Sequence, residues 1–142
     1  MDENINALDE INKGACMGMD AISIIKEKVE DKKLKKEIEH EYKEYKKITD
    51  EIKKIYEKYN NGEPHETNMM NKVMTWSGVE MRTISDSSTS KLAELLITGV
   101  NMGIIEGTKI LNNKEISEDV TLIVKTFITM QENNLDNLKK YL

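Results

Sequence analysis

Apolar residues recur every three or four positions through almost the whole chain, and that regularity constrains the fold more than any motif does. From about residue 4 to 30 the recurring set is Ile5, Leu8, Ile11, Ala15, Gly18, Ile22, Ile25 and Val29. From about 32 to 60 it is Leu34, Ile38, Glu41, Tyr45, Ile48, Ile52, Ile55 and Tyr59. This spacing stacks the residues of each set on one helix face, whereas the two-residue alternation of a half-buried strand is nearly absent. The remaining positions of the second segment are mostly Lys and Glu, which marks an outer, solvated face. There Asp31–Lys35, Glu39–Lys43 and Asp50–Lys54 set an acid four residues ahead of a base, an arrangement that adds about 0.3 kcal/mol per pair.

Punctuation is sparse. Asn60-Asn61-Gly62-Glu63-Pro64 is the clearest break, because glycine terminates helices and proline cannot continue one. A shorter helix is expected from about 67 to 84, carrying Met69, Met70, Met74, Trp76 and Met81. Asp86-Ser87-Ser88-Thr89-Ser90 supplies capping side chains for a fourth helix over about 88–112, and Ser117 opens a fifth over about 117–141. The last helix has the seam Val120, Val124, Phe127, Gln131, Leu135, Leu138 and Leu142. Five helices in 142 residues predict an all-α chain with one domain over 1–142.

Composition narrows the partners. Net charge is −5, and Arg82 is the lone arginine among 21 basic residues, which argues against nucleic acid, since phosphates and base edges are read by arginine forks. With Cys16 as the one cysteine, neither an intrachain disulfide nor a Cys-based zinc site can form. Cys16 lies in a run of small residues and reads as a core position, and His65, beside Pro64, reads as a loop residue. No apolar run approaches the length that crosses a bilayer and no leader is read at the N-terminus, so a cytoplasmic location without membrane contact is expected.

Two helices share an internal echo. Gly14-Ala15-Cys16-Met17-Gly18 and Gly99-Val100-Asn101-Met102-Gly103 are both Gly-x-x-Met-Gly, and the second continues to Gly107. A mid-helix glycine costs about 1 kcal/mol against alanine. Glycines four apart clear one face, and the expectation is that another backbone approaches there. The echo suggests two related helical hairpins, the first with the second helix and the fourth with the fifth, joined by a crossover that holds the Met-rich helix. In that order of helices the chain resembles the ferritin-like superfamily, in the manner of small families of it found in spore-forming Gram-positive bacteria. The resemblance implies a ferritin-like four-helix bundle with a long crossover containing a short fifth helix.

It also implies where a metal site belongs. Two-iron members place a Glu on the first helix of each hairpin and Glu-x-x-His on the second, all pointing inward. Glu37-Ile38-Glu39-His40 is the one match, but Glu37 stands about 40° and His40 about 100° from the apolar seam. Gln131-Glu132-Asn133-Asn134 has no histidine in step, the first helix has no acid in its seam, and Glu106 sits at a boundary. The ligand set is largely missing, so no cofactor is expected; an iron or manganese site, if present, would draw on Glu37, His40, Glu41, Glu106 and Glu132. Glu41 falls inside the seam, and Gln131 on the fifth helix is the expected partner that satisfies it.

No acid–base pair, phosphate loop or nucleophile motif points to a reaction. From 91 to 109 the charged residues are Lys91, Glu94, Glu106 and Lys109, and the apolar and glycine positions there cover an arc of about 160°, wider than one seam needs. The leading expectation is therefore a non-enzymatic, self-associating bundle, a homodimer or other homo-oligomer, acting as a structural or interaction module. It would pair through the Gly99, Gly103 and Gly107 face or the Met/Trp helix. The alternatives are a ferritin-like metal oxidase or store with a degenerate carboxylate site, and a binder of a small apolar molecule between the Met-rich helix and the bundle.

Overall fold

The computed structural model describes residues 2–59 and 85–142, and the expected helix at 67–84, with its methionines and Trp76, lies outside them, as do His65 and Arg82. Among the described residues the chain forms α1 (Glu3–Ile25), a 3-10 turn (Lys26–Lys28), α2 (Lys32–Tyr59), α3 (Thr89–Asn113) and α4 (Glu118–Lys139).

Helix ends follow from local chemistry. The Asp2 side chain accepts a hydrogen bond from the Asn4 N–H and starts α1. Asp31 accepts from the N–H groups of Lys33 and Leu34, both at 2.9 Å, and so caps α2 instead of pairing with Lys35. That cap requires a non-helical lead-in, which is why α1 stops at Ile25, short of the expected residue 30. Val29 is extended and its buried side chain pins the reversal. Asp50 also departs from expectation: it pairs with Lys46, one turn before it, at 2.9 Å. Ser88 caps α3 as anticipated, through the Lys91 N–H.

The four helices pack as one all-α bundle. Glu3 Oε2 accepts from the Glu115 N–H, and Asn4 Oδ1 accepts from the Ser117 N–H at 2.8 Å. Tyr59 donates to Asp119 at 2.7 Å. The starts of α1 and α4 and the ends of α2 and α3 therefore share one end of the bundle, and α1 and α4 run opposite to α2 and α3. The closest pairings are α1 with α2 and α3 with α4; α2 with α4 and α1 with α3 complete the ring, and α1 also touches α4 across the diagonal. Every neighbour around the ring is antiparallel. α2, at 28 residues, is about 42 Å long, so the chain between Tyr59 and Thr89 joins opposite ends of the bundle.

The core is built mainly on the expected seams, with Tyr56 and Leu92 added to them. Leu8, Ile11 and Ile25 from α1, Leu34, Ile38, Ile52 and Tyr56 from α2, Leu92 from α3, and Phe127 and Leu138 from α4 are all but fully buried. Each such side chain contributes about 1.5–3 kcal/mol through removal from water. Register departs from the expected seams toward the helix ends: Tyr56 is fully buried whereas Ile55 and Tyr59 are only partly so, Asn134 is buried beside a partly buried Leu135, and Leu142 is exposed beyond the end of α4. No helix among the described residues is long and apolar enough to cross a membrane.

Candidate functional site

The paired glycines do not admit a neighbouring backbone, as their spacing suggested; they admit side chains. A Cβ on Gly18 would lie 2.6 Å from the Tyr45 ring, and one on Gly14 would lie 3.2 Å from the Phe127 ring. A Cβ on Gly103 would collide with Gln131 Nε2, and one on Gly107 would reach Ile128 at 2.7 Å. Gly103 and Gly107 are thus occupied inside the chain by α4, which accounts for part of the wide apolar arc of α3. The large inward side chains of α2 and α4 rest on bare stretches of α1 and α3.

Between α1 and α3 the same absence of side chains leaves a cleft of about 390 Å³. Gly14, Met17, Gly18, Ala21 and Ile22 line it from α1, and Leu95, Leu96, Gly99, Val100, Met102 and Gly103 from α3. Phe127 and Gln131 reach it from α4, and Glu41 and Tyr45 from α2. Charged groups border it too: Glu10 and Lys13, which pair at 3.4 Å, and Glu106. The walls are predominantly apolar with a few convergent polar groups, the usual composition of a small-molecule site.

Those polar groups are deeply buried. Tyr45 donates its hydroxyl proton to Gln131 Oε1 at 2.7 Å across the bundle. Gln131 is therefore held by Tyr45 and is not the partner expected for Glu41. Glu41 is 1% exposed, and its Oε2 has no hydrogen-bond partner. Burial first, then the neighbouring Glu37 carboxyl, push its pKa up to about 10, so Glu41 is a neutral acid at physiological pH. Burial likewise pushes the Tyr45 hydroxyl further above its ordinary range, with the nearby Glu41 adding to the effect. Glu37, one turn before Glu41, is half-buried, and its Oε2 too is unpartnered.

The other candidate ligands scatter. His40 is exposed, with Nε2 3.2 Å from Glu44. Glu106 is exposed and 3.6 Å from Lys109, and Glu132 faces solvent on α4. Among the described residues no three His, Cys, Asp or Glu side chains converge on a point that could hold a metal ion. The three acids that line the cleft, Glu10, Glu41 and Glu106, do not supply the set a two-iron centre requires, since among the described residues they do not converge with one another or with a histidine.

Sequence reading missed two further polar residues, Asn12 on α1 and Asn134 on α4. Both are buried and have no hydrogen-bond partner for either side-chain polar atom. Asn134 was detectable, since it lies three residues after Gln131 on the same inward face.

Comparison with protein-family models, curated proteins and solved structures gave no match for this chain.

Proposed function

We propose that this chain is a non-enzymatic bundle that binds one small, largely apolar molecule in the cleft between α1 and α3. The observation that carries this reading is the cleft itself, a space of about 390 Å³ inside the helix seams, bordered by Gly14, Gly18, Gly99 and Gly103. Close packing is the rule in protein interiors, and an apolar cavity of about 150 Å³ already takes up benzene. The ferritin-like resemblance supports the same reading from another direction. Two antiparallel helix pairs, α1 with α2 and α3 with α4, are the arrangement that resemblance implies, and the cleft between them is lined mostly by glycine, methionine, aliphatic and aromatic residues.

Titration calorimetry with toluene tests the reading. The expected result is saturable one-to-one binding that Val100→Phe abolishes, because Val100 lines the cleft and the larger ring fills it. A folded wild-type protein that shows no saturable binding would overturn it.

Self-association is a second reading, favoured by Met102 and Ile105, which stand 40% and 52% exposed on α3. Light scattering tests it, with a dimer expected and a strict monomer at high micromolar concentration counting against it.

A further inference from the structure

A ligand for this cleft has a head as well as a body, and the polar atoms already present define the head. Gln131 Oε1 is engaged by the Tyr45 hydroxyl. Glu41 Oε2 is not engaged, although Glu41 lines the cleft and is 1% exposed. A buried oxygen without a partner forfeits its hydrogen bonds to water and is a standing cost to the fold. A bound molecule that supplies a donor there removes that cost. Resting on the cleft reading above, we propose that the ligand is an uncharged, compact aromatic or alicyclic molecule of one or two rings, whose single hydroxyl or N–H donates to Glu41 Oε2.

Donor polarity follows from the acceptor itself. A carboxyl group keeps an accepting oxygen whether or not it is protonated, and the buried Glu41 Oε2 has no partner. Neutrality follows from the surroundings. The groups reaching the cleft from α2 and α4 are the Glu41 acid, the Tyr45 phenol, the Gln131 amide and the Phe127 ring, and the charged residues that line it from α1 and α3 already pair, Lys13 with Glu10 at 3.4 Å and Glu106 with Lys109 at 3.6 Å. A charged head would be desolvated there without compensation, at a cost well above one hydrogen bond. Size follows from the volume, since about 390 Å³ exceeds what a single benzene ring requires.

The test compares p-cresol, 4-methylanisole and toluene by calorimetry on the full chain. These three probes share the ring and differ in the head. Wild type is expected to bind p-cresol about tenfold more tightly than 4-methylanisole, the worth of one buried hydrogen bond. Glu41→Leu removes the acceptor, and the p-cresol preference, read as the ratio of p-cresol to 4-methylanisole affinity on that same variant, is expected to fall below about threefold. Glu41→Gln keeps a carbonyl acceptor and is expected to retain the preference, with circular dichroism confirming the fold of both variants. Toluene binding with no p-cresol preference in wild type overturns the donor assignment and leaves the cleft reading standing. A preference that survives Glu41→Leu also overturns it, because the donor is then satisfied elsewhere. Absence of binding by all three probes overturns the cleft reading itself.

Discussion

Two polar regions lie among the helix contacts, and they are built on opposite principles. At the end shared by the starts of α1 and α4, every polar group has an answer. Ser117 sits at the N-cap position of α4, yet its hydroxyl makes no capping bond and turns instead to Asn4, Tyr59 and Asp119. Asp119 accepts from Tyr59, Ser117 and the Val120 N–H, and pairs with Lys58 at 3.0 Å. These bonds hold its carboxyl well below the usual range, the Ser117 hydroxyl contributing most. Further along the bundle the pattern reverses: Glu41, which lines the cleft, and Glu37, Asn12 and Asn134, which do not, carry buried atoms without partners. The first region is a fastening that ties three helices together. The second gives up stability at scattered buried positions, and the one of them that lines the cleft, Glu41, fits the pattern of a functional site.

The contrast predicts opposite responses to substitution, and the largest is at Glu41. Glu41→Leu is expected to stabilise the protein at pH 7.5 by about 1–4 kcal/mol, the range for replacing buried ionisable groups with apolar ones. Its pH dependence has a definite sign. The native Glu41 keeps its proton up to about pH 10, whereas the unfolded carboxyl releases it near 4.5. Stability from this group is therefore complete below pH 4.5 and declines as pH rises toward 10. Thermal melts should show the advantage of the leucine variant shrinking as the solution is acidified toward pH 4.5. An advantage independent of pH would separate Glu41 from the unpaired region.

Asp119→Ala sharpens the other half. Loss of its several bonds is expected to cost about 2 kcal/mol at neutral pH. The native carboxyl titrates below its unfolded counterpart, so its contribution is present above about pH 4 and is lost as pH falls further. Denaturant unfolding at pH 7 and at pH 3 should show the cost of the substitution diminishing in acid. The two regions thus respond to acid in opposite directions, which a single pH series on both variants would display.

Smaller effects test the glycines. Gly18→Ala is expected to lose about 1 kcal/mol net, since crowding the Tyr45 ring costs about 2 kcal/mol and the helix gains about 1. A stabilised Gly18→Ala would mean that the Tyr45 ring is free to move away. His40→Ala is expected to change stability by under about 0.5 kcal/mol, because its contact with Glu44 is exposed.

The helical architecture was legible in the sequence because burial enforces periodicity. Ile5 through Val29 and Leu34 through Ile52 point inward as their spacing requires, while the expected break at 60–64 lies outside the described residues. What spacing does not encode is the identity of the atom opposite. Gly14, Gly18 and Gly103 announced bare helix surface, but only three-dimensional packing shows that rings and an amide occupy it. Glu41 and Gln131 both lie in seams, so pairing them was reasonable; Tyr45, one turn beyond Glu41, reaches the amide instead. Tyr59 read as a seam residue, and its phenol proved to be a hub of the end cluster, because a side chain with an apolar body and a polar tip serves both roles. Asn12 offered no signal at all, being a polar residue next to Ile11 on an otherwise ordinary helix face.

The most direct test of the cleft is a titration of methyl-labelled methionine with toluene, followed by NMR. Met17 and Met102 line the cleft, whereas Met130 is buried without lining it. Saturable shifts at Met17 and Met102 with Met130 unmoved are the predicted result. Methionine signals that do not respond, or that respond alike at all three positions, would contradict a binding site between α1 and α3.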